Sequence, residues 1–506
     1  MHTPTRLATA ALVAVCAGAA LTAAPSAAVL NVRAWRETRE RQIVGELMRL
    51  VALPNIASNR ADIARNADLL TTMFEARNFN VMRVETPGSP VLIARRDIAN
   101  ARGTLLFYFH YDGQPSDPKA WTRGGPFAPV VMSGPNLFPL ETTSTTLNPE
   151  LRVYGRSTSD DKGPIVALLA AVDGLAATKA SPAWNLRIVL DGEEEAGSPN
   201  FGAAMKQHAA DVRADIAVVV DSPRHPSGLP TVFYGSRGTS GAVITVYGAV
   251  TDLHSGNYGN FTTDPTMALA KLLASMKDDN GNVRIKNFTD GVVPLTPAEH
   301  RAIGELPNVD AKLLEQFGLM QAEHPDSRIE LQHNHPTLSI TGIESGAVSA
   351  GARSAIPGSA SARVEMRLVK GLDAQTQFDR LVAHIREQGF HVTDTEPDRQ
   401  TRRAHRRIAR VTRTGGGFPV AKASLEDPRT APVVSAIRSL DQRLAQMPTI
   451  GGSLPFATFS ETLALPTIGL AIVNFDNNQH GPDENLRLGN LWDGIDIFAA
   501  LLTMSR

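Results

Sequence analysis

Apolar residues recur every third or fourth position in ETRERQIVGELMRLVALP and again in ADIARNADLLTTMFEARNF, which predicts two amphipathic helices near the start of the folded chain. The pattern then collapses into short unbroken runs. TLLFYFHYD, NLRIVLDGE and ADIAVVVDS are too short for helices and almost wholly apolar, as are strands buried on both faces of a parallel sheet. GPIVALLAAVDGLAA, with Pro164 suited to a first helical turn, and SPNFGAAMKQHAAD read as helices between them. This alternation predicts an α/β fold with a mainly parallel sheet flanked by helices.

Near Ser236 the pattern changes. GAVITVYGA alternates like a half-exposed strand, DPTMALAKLLASM is helical, SARVEMRLV is a strand, DAQTQFDRLVAHIREQGF a helix and HVTDT a last strand. The order predicts an inserted α+β unit of ferredoxin-like type, from Ser236 to Thr412, with long decoration between Asp278 and Leu338. PVVSAIRSLDQRLAQ, a helix, and PTIGLAIVNF, a strand, then return to the first pattern. The expected organisation is one α/β domain in two parts, 29–235 and 413–506, interrupted by an inserted domain, 236–412.

With 506 residues the chain is long enough for two such domains. A net charge of −1 gives no electrostatic reason to expect nucleic acid or an anionic membrane as partner. The exception, RQTRRAHRRIAR (Arg399 to Arg410), reads as a solvated linker or helix face and holds no aromatic residue to stack on bases. Residues 1–28 combine Arg6, an apolar stretch and small residues from Ala24 to Ala28, which predicts a secretory signal peptide and a periplasmic or secreted protein. The apolar stretch is short for a stable membrane span, and no second one follows, so no stable membrane anchor is expected. Cys16, the single cysteine, falls in this leader, and VAVC lacks the small residue expected before a lipid-modified cysteine.

Ligands of open parallel sheets bind beyond the carboxyl ends of the strands. Several expected strands end in acidic residues or histidine: His110 and Asp112, Glu193 to Glu195, Asp221, and, in the loop after a late strand, His480. Asp160 and Asp161 precede a helix in YGRSTSDDKGP. Each alone is an ordinary cap or turn residue. Gathered together, such carboxylates repel unless a cation neutralises them. Two histidines with three carboxylates suit a pair of zinc ions sharing one bridging carboxylate.

HYDGQP, GRSTSDDKGP, GEEEAGS, VVVDSP, DLHSGNYGN and a late HGPDE, in that order, resemble the dizinc metallopeptidase family. That family includes glutamate carboxypeptidase, carnosinase-type dipeptidases, acetylornithine deacetylase and aminoacylase. The resemblance implies that the α/β domain is catalytic and that the insertion is a lid and dimerisation domain. It implies that His110 and Asp221 hold one zinc, that Glu195 and His480 hold the other, and that Asp160 bridges them; Co2+ or Mn2+ are alternative ions. It further implies a cis peptide between Asp160 and Asp161, Glu194 as general base, Asp112 as the group fixing a ligand imidazole, and His254 as an oxyanion donor reaching the partner subunit's site. Arg367 would pair with a substrate carboxylate, beside a loop of Gly451, Gly452 and Ser453.

Three positions depart from the family pattern. Ser157 stands where glycine is usual, and Gly481 and Asp483 replace serine and asparagine. The expected activity is hydrolysis of dipeptides or of C-terminal residues from short peptides. The alternatives are removal of the acyl group from an N-acyl amino acid, or a non-catalytic binding protein on the same scaffold. The strand GAVITVYGA is expected to pair edge to edge in a homodimer.

Overall fold

A computed structural model describes residues 24–141, 146–415 and 417–505. The first helix, Ala27–Glu37, is capped by Ser26 and buries Val29 and Val32 in the core. It therefore begins before the expected end of the leader, most of which lies outside the described residues.

The large sheet has eight strands. In chain order they are β1 (Asn80–Val84), β2 (Val91–Arg96), β3 (Thr104–His110), β4 (Asn185–Asp191), β5 (Ile216–Val220) and β6 (Thr231–Phe233), followed, after the insertion, by β12 (Ala445–Met447) and β13 (Thr467–Ala471). Their spatial order is β1-β2-β4-β3-β5-β13-β6-β12. The central strands β4, β3, β5 and β13 are mutually parallel, whereas β1, β2 and β6 join through antiparallel pairings. The parallel centre explains the unbroken apolar runs, because helices cover both of its faces. Glu40–Val51, Lys162–Ala177 and Leu488–Thr503 pack on one face, and Phe201–Gln207 with the Leu454–Phe459 stretch packs on the other.

The insertion forms a five-stranded sheet of β7 (Gly238–Tyr247), β8 (Thr337–Glu344), β9 (Ser359–Leu368), β10 (His391–Thr393) and β11 (Ile408–Arg413), in the order β8-β9-β7-β11-β10. Two expectations change here. Strand β7, which carries GAVITVYGA, lies between β9 and β11, so its edges are taken and it cannot pair with another subunit. The sheet's edges are β10 and β8, and the residues of β8 from Ser339 to Glu344 are all exposed. The basic run is also not one linker or helix face. Arg399–Ala404 is a short helix, and Ile408–Arg413 becomes β11, whose Ile408, Ala409 and Val411 are buried. Its two arginines, half-buried Arg410 and exposed Arg413, extend the basic run and masked the strand. The expected helix PVVSAIRSLDQRLAQ stops at Arg438, and its last residues form β12.

Part of the long decoration packs on the large sheet and not on the inserted one. The helix Pro297–Glu305 lies against β12, and its Glu299 pairs with Lys422 at 2.7 Å.

Candidate metal centre

Because β4, β3 and β5 are adjacent and parallel, their carboxyl ends meet on one side of the sheet. His110 ends β3, Asp221 follows β5, and Glu194 and Glu195 form a short turn after β4. Asp160 arrives from the loop before the helix Lys162–Ala177, and the Asp160–Asp161 peptide is cis, as expected. His480 sits on a turn after β13 at φ 64°, with its imidazole half exposed.

Asp160 lies between the two histidines. One oxygen is 2.8 Å from His110 Nε2 and the other is 3.1 Å from His480 Nε2. Asp221 approaches His110 Nε2 at 3.7 Å, and Glu195 approaches His480 Nε2 at 3.3 Å. The ligand atoms of His110, Asp160 and Asp221 lie within 4.8 Å of one another, and so do those of Asp160, Glu195 and His480. The two triads share Asp160.

The electrostatics test whether this set fits a divalent ion. Burial, followed by the charge of Asp160, raises Asp221 to about 7 and Glu195 to about 8. Burial and Asp221 also raise Glu194 well above the usual range. Burial opposes charge on His480, yet Asp160 and Glu195 push it up to about 9. Burial likewise opposes charge on Asp160, but the imidazoles of His110 and His480 hold it well below the usual range. The cluster thus holds protons wherever it can, which is how an excess of buried negative charge behaves without a cation. Nitrogen and carboxylate donors in two triads suit zinc, and also cobalt or manganese. The residues fit the metal.

Two other carboxylates shape the site without joining either triad. Asp112 accepts hydrogen bonds from the N–H groups of Glu194 (3.0 Å) and Glu195 (3.1 Å). Its contact with His110 Nδ1 is 3.4 Å, an ion-pair distance, and that nitrogen makes no hydrogen bond. Asp112 therefore fixes the glutamate turn at least as directly as it fixes the imidazole. Glu484 accepts from Arg156 Nη1 (2.7 Å), from the N–H groups of Ser157 (3.0 Å), Ser159 (3.1 Å) and Asp160 (3.2 Å), and from Ser159 Oγ (2.9 Å). Sequence reasoning gave Glu484 no role, although it stands four residues beyond His480 in HGPDE. Gln114, also missed, donates to Glu195 Oε2 at 2.7 Å.

Two of the three departures from the family pattern, Ser157 and Asp483, have local explanations. Ser157 adopts φ 64°, the left-handed region that glycine favours, and its hydroxyl accepts a hydrogen bond from Asn55 at 3.0 Å. Asp483 accepts from the N–H groups of Thr122 (2.9 Å) and Arg123 (3.1 Å), tying the loop after HYDGQP to the His480 turn.

The remaining expected residues fall in two places. Arg367, on β9, donates to Ser453 Oγ and to Glu365 Oε1, each at 2.8 Å. The absent side chain of Gly451 leaves room for His333, whose Nε2 would lie 2.9 Å from a Cβ there, and Gly452 O accepts from Arg237 N at 2.9 Å. His254 is exposed on a two-residue strand paired with Ala355–Ile356, and its Nδ1 accepts from Gly256 N at 3.1 Å. Among the described residues no hydrogen bond or ion pair joins it to the triads. A cavity of about 650 Å³ between the helix Asp310–Phe317 and the start of β8 is not lined by any triad residue.

An α/β scaffold with two carboxylate–histidine triads sharing one aspartate defines a metal-dependent hydrolase. The profile of peptidase family M20/M25/M40 matches residues 106–504. The chain belongs to this family and is a metallopeptidase. The Cys-Gly metallodipeptidase of Schizosaccharomyces pombe is 24% identical over 481 residues, covering 91% of this chain and 95% of the relative. The Beta-Ala-His dipeptidase of Homo sapiens is 26% identical over 420 residues, covering 82% and 77%. Among solved structures, the di-peptidase Dug1p from Saccharomyces cerevisiae superposes with a TM-score of 0.78 at 22% identity, covering 94% of this chain and 98% of that one, and so shares the fold. The comparisons correct the expectation of export. A periplasmic or secreted location is not retained against the yeast Cys-Gly metallodipeptidases, which match about nine-tenths of the chain.

Proposed function

We propose that this metallopeptidase hydrolyses dipeptides at a centre of two divalent ions, with zinc the first choice. The observation that carries the reading is Asp160, which presents one oxygen to each histidine. His110 and Asp221 would hold one ion, Glu195 and His480 the other, and Asp160 both. Bound there, the ions would supply Lewis acidity for the scissile carbonyl and for a water that attacks near neutral pH. Glu194 accepts the proton of the attacking water on a carboxylate oxygen and returns it to the leaving amine nitrogen. Asp112 holds Glu194 in place through its backbone N–H. Arg367, braced by Ser453, binds the substrate's carboxylate, for which a guanidinium supplies paired donors. Dipeptides are favoured because the curated relatives cited above, matched over most of the chain, are a Cys-Gly and a Beta-Ala-His dipeptidase.

The proposal includes the division into catalytic parts 29–235 and 413–506 and an insertion 236–412. It also includes a homodimer formed through the insertion. Support for the dimer comes from the open edge of β8, which exposes Ile340 and Ile343, and from exposed Phe261 and Met267 near the start of the helix Pro265–Ala274. Such an interface would let the exposed His254 serve the partner subunit's site as an oxyanion donor.

The test is a screen of purified protein against dipeptides, longer peptides and N-acyl amino acids, with and without added zinc. Metal-dependent release of amino acids from dipeptides supports the reading. Activity confined to N-acyl amino acids would replace it with a deacylase, and full activity after verified removal of all metal would refute the metal centre.

A further inference from the structure

Arg237 lies where the chain crosses from the large sheet into the inserted one, and only 6% of it is exposed. Its Nη2 donates to His335 O at 2.8 Å and to Thr337 Oγ1 at 3.2 Å, both neutral acceptors. Among the described residues no carboxylate pairs with it, and its buried Nε has no hydrogen-bond partner. Buried charges are ordinarily paired, because desolvation costs more than neutral acceptors return. The surroundings deepen the imbalance. Burial and then the positive charge of Arg367 push Arg237 down to about 10, opposed by Glu365. Glu365 is already engaged by Arg367 Nε at 2.8 Å. Two guanidiniums therefore stand near one carboxylate, which only Arg367 pairs with, beside the loop Gly451–Ser453, to which Arg237 is tied through Gly452 O.

We propose that Arg237 is a specificity-determining residue whose unmatched charge, standing with Arg367 at the loop Gly451–Ser453, selects substrates that bring one carboxylate to that place. The inference rests on the carboxylate clamp proposed above and adds a second cation to it. The ligand group is the free carboxylate of the residue released, and a C-terminal amide or ester would leave the charge uncompensated. A unit charge several ångströms away in a partly buried setting favours an anion over its neutral analogue by about tenfold or more.

The experiment compares Ala-Gly with Ala-glycinamide on the metal-supplemented full-length protein, for wild type, Arg237→Met and Arg237→Lys. In wild type the acid should be strongly preferred. Arg237→Met should reduce the acid-to-amide ratio of kcat/KM about tenfold, through a higher KM for the acid, and leave the amide's kcat/KM unchanged. Arg237→Lys should restore most of the preference, because the charge returns. A merely structural arginine would lower both substrates together and leave the ratio intact, which would overturn the proposal. Should Arg237→Met fail to fold, Arg237→Gln keeps a donor toward His335 O, removes the charge and carries the same expectation. If wild type itself does not distinguish acid from amide, the whole clamp fails; if wild type and Arg237→Met distinguish them equally, only the role of Arg237 falls.

Discussion

Glu194→Gln isolates the proton-transfer step from the metal centre. The substitution replaces one carboxylate oxygen by an amide of the same size, at a residue only 7% exposed. Two features predict that the turn survives. The backbone N–H of Glu194 is held by Asp112 at 3.0 Å whatever the side chain, and Glu195, which approaches His480, is untouched. The magnitude follows from what is lost. A positioned general acid–base contributes about 10²–10⁴ in rate, equivalent to about 3–5 kcal/mol of barrier. The local electrostatics oppose any compensating loss of fold, because a neutral glutamine relieves repulsion between buried Glu194 and Asp221. Steady-state dipeptide hydrolysis, elemental analysis and thermal unfolding on one preparation provide the assay. The expected result is kcat down by at least about a hundredfold, with metal content unchanged and the metal-free protein no less stable. Retained turnover would put the base elsewhere, and loss of metal would make Glu194 a ligand.

Amidation of a dipeptide's C-terminus and Arg367→Ala should each reduce kcat/KM by at least about tenfold, and together by less than the product of the two, because both remove one charge-assisted contact; full additivity would refute the clamp. Mixing inactive His254→Ala with inactive Glu194→Gln subunits should restore activity if His254 acts across a dimer, and absence of rescue despite proven subunit exchange would remove that role. Raising pH from 6.5 to 9 should increase the gain in Tm that zinc confers. Asp221, Glu195 and His480, raised to about 7, 8 and 9, hold protons in the metal-free fold that binding must displace. Each folded-state value lies above its unfolded one, so the stability these protons give the metal-free protein is lost as pH rises through it. A metal-induced gain that shrinks with pH would contradict the assigned ligands.

The parts of the molecule legible in sequence are those where one physical requirement dominates. The central strands had to be apolar on both faces, so β3, β4 and β5 were visible together with the acidic residues and histidine at their ends. Strand β11 was hidden because Arg410 and Arg413 continue the charge density of the short basic helix before it, although Ile408, Ala409 and Val411 are buried. Strand β7 has an alternating pattern, yet alternation records which faces are buried and says nothing about which edges are paired. That is why an interior strand was mistaken for an edge. Arg237 was unreadable for a related reason: its significance lies in the lack of a carboxylate partner, which only a three-dimensional arrangement can reveal.

Holding this much negative charge together poses a problem that the triads do not solve alone. Asp112 and Glu484 address it through the backbone. Asp112 gathers the N–H groups on the Glu194–Glu195 turn, and Glu484 gathers those of Ser157, Ser159 and Asp160. Each is itself a buried carboxylate, adding charge to the region. The N–H dipoles turned toward them offset it locally, and Arg156 pairs with Glu484 at 2.7 Å. The geometry around Asp160 is thereby set by main-chain donors that no side-chain substitution in the triads removes. A metal ion then meets ligands whose backbones are already fixed, and its binding free energy need not order the loops that carry them.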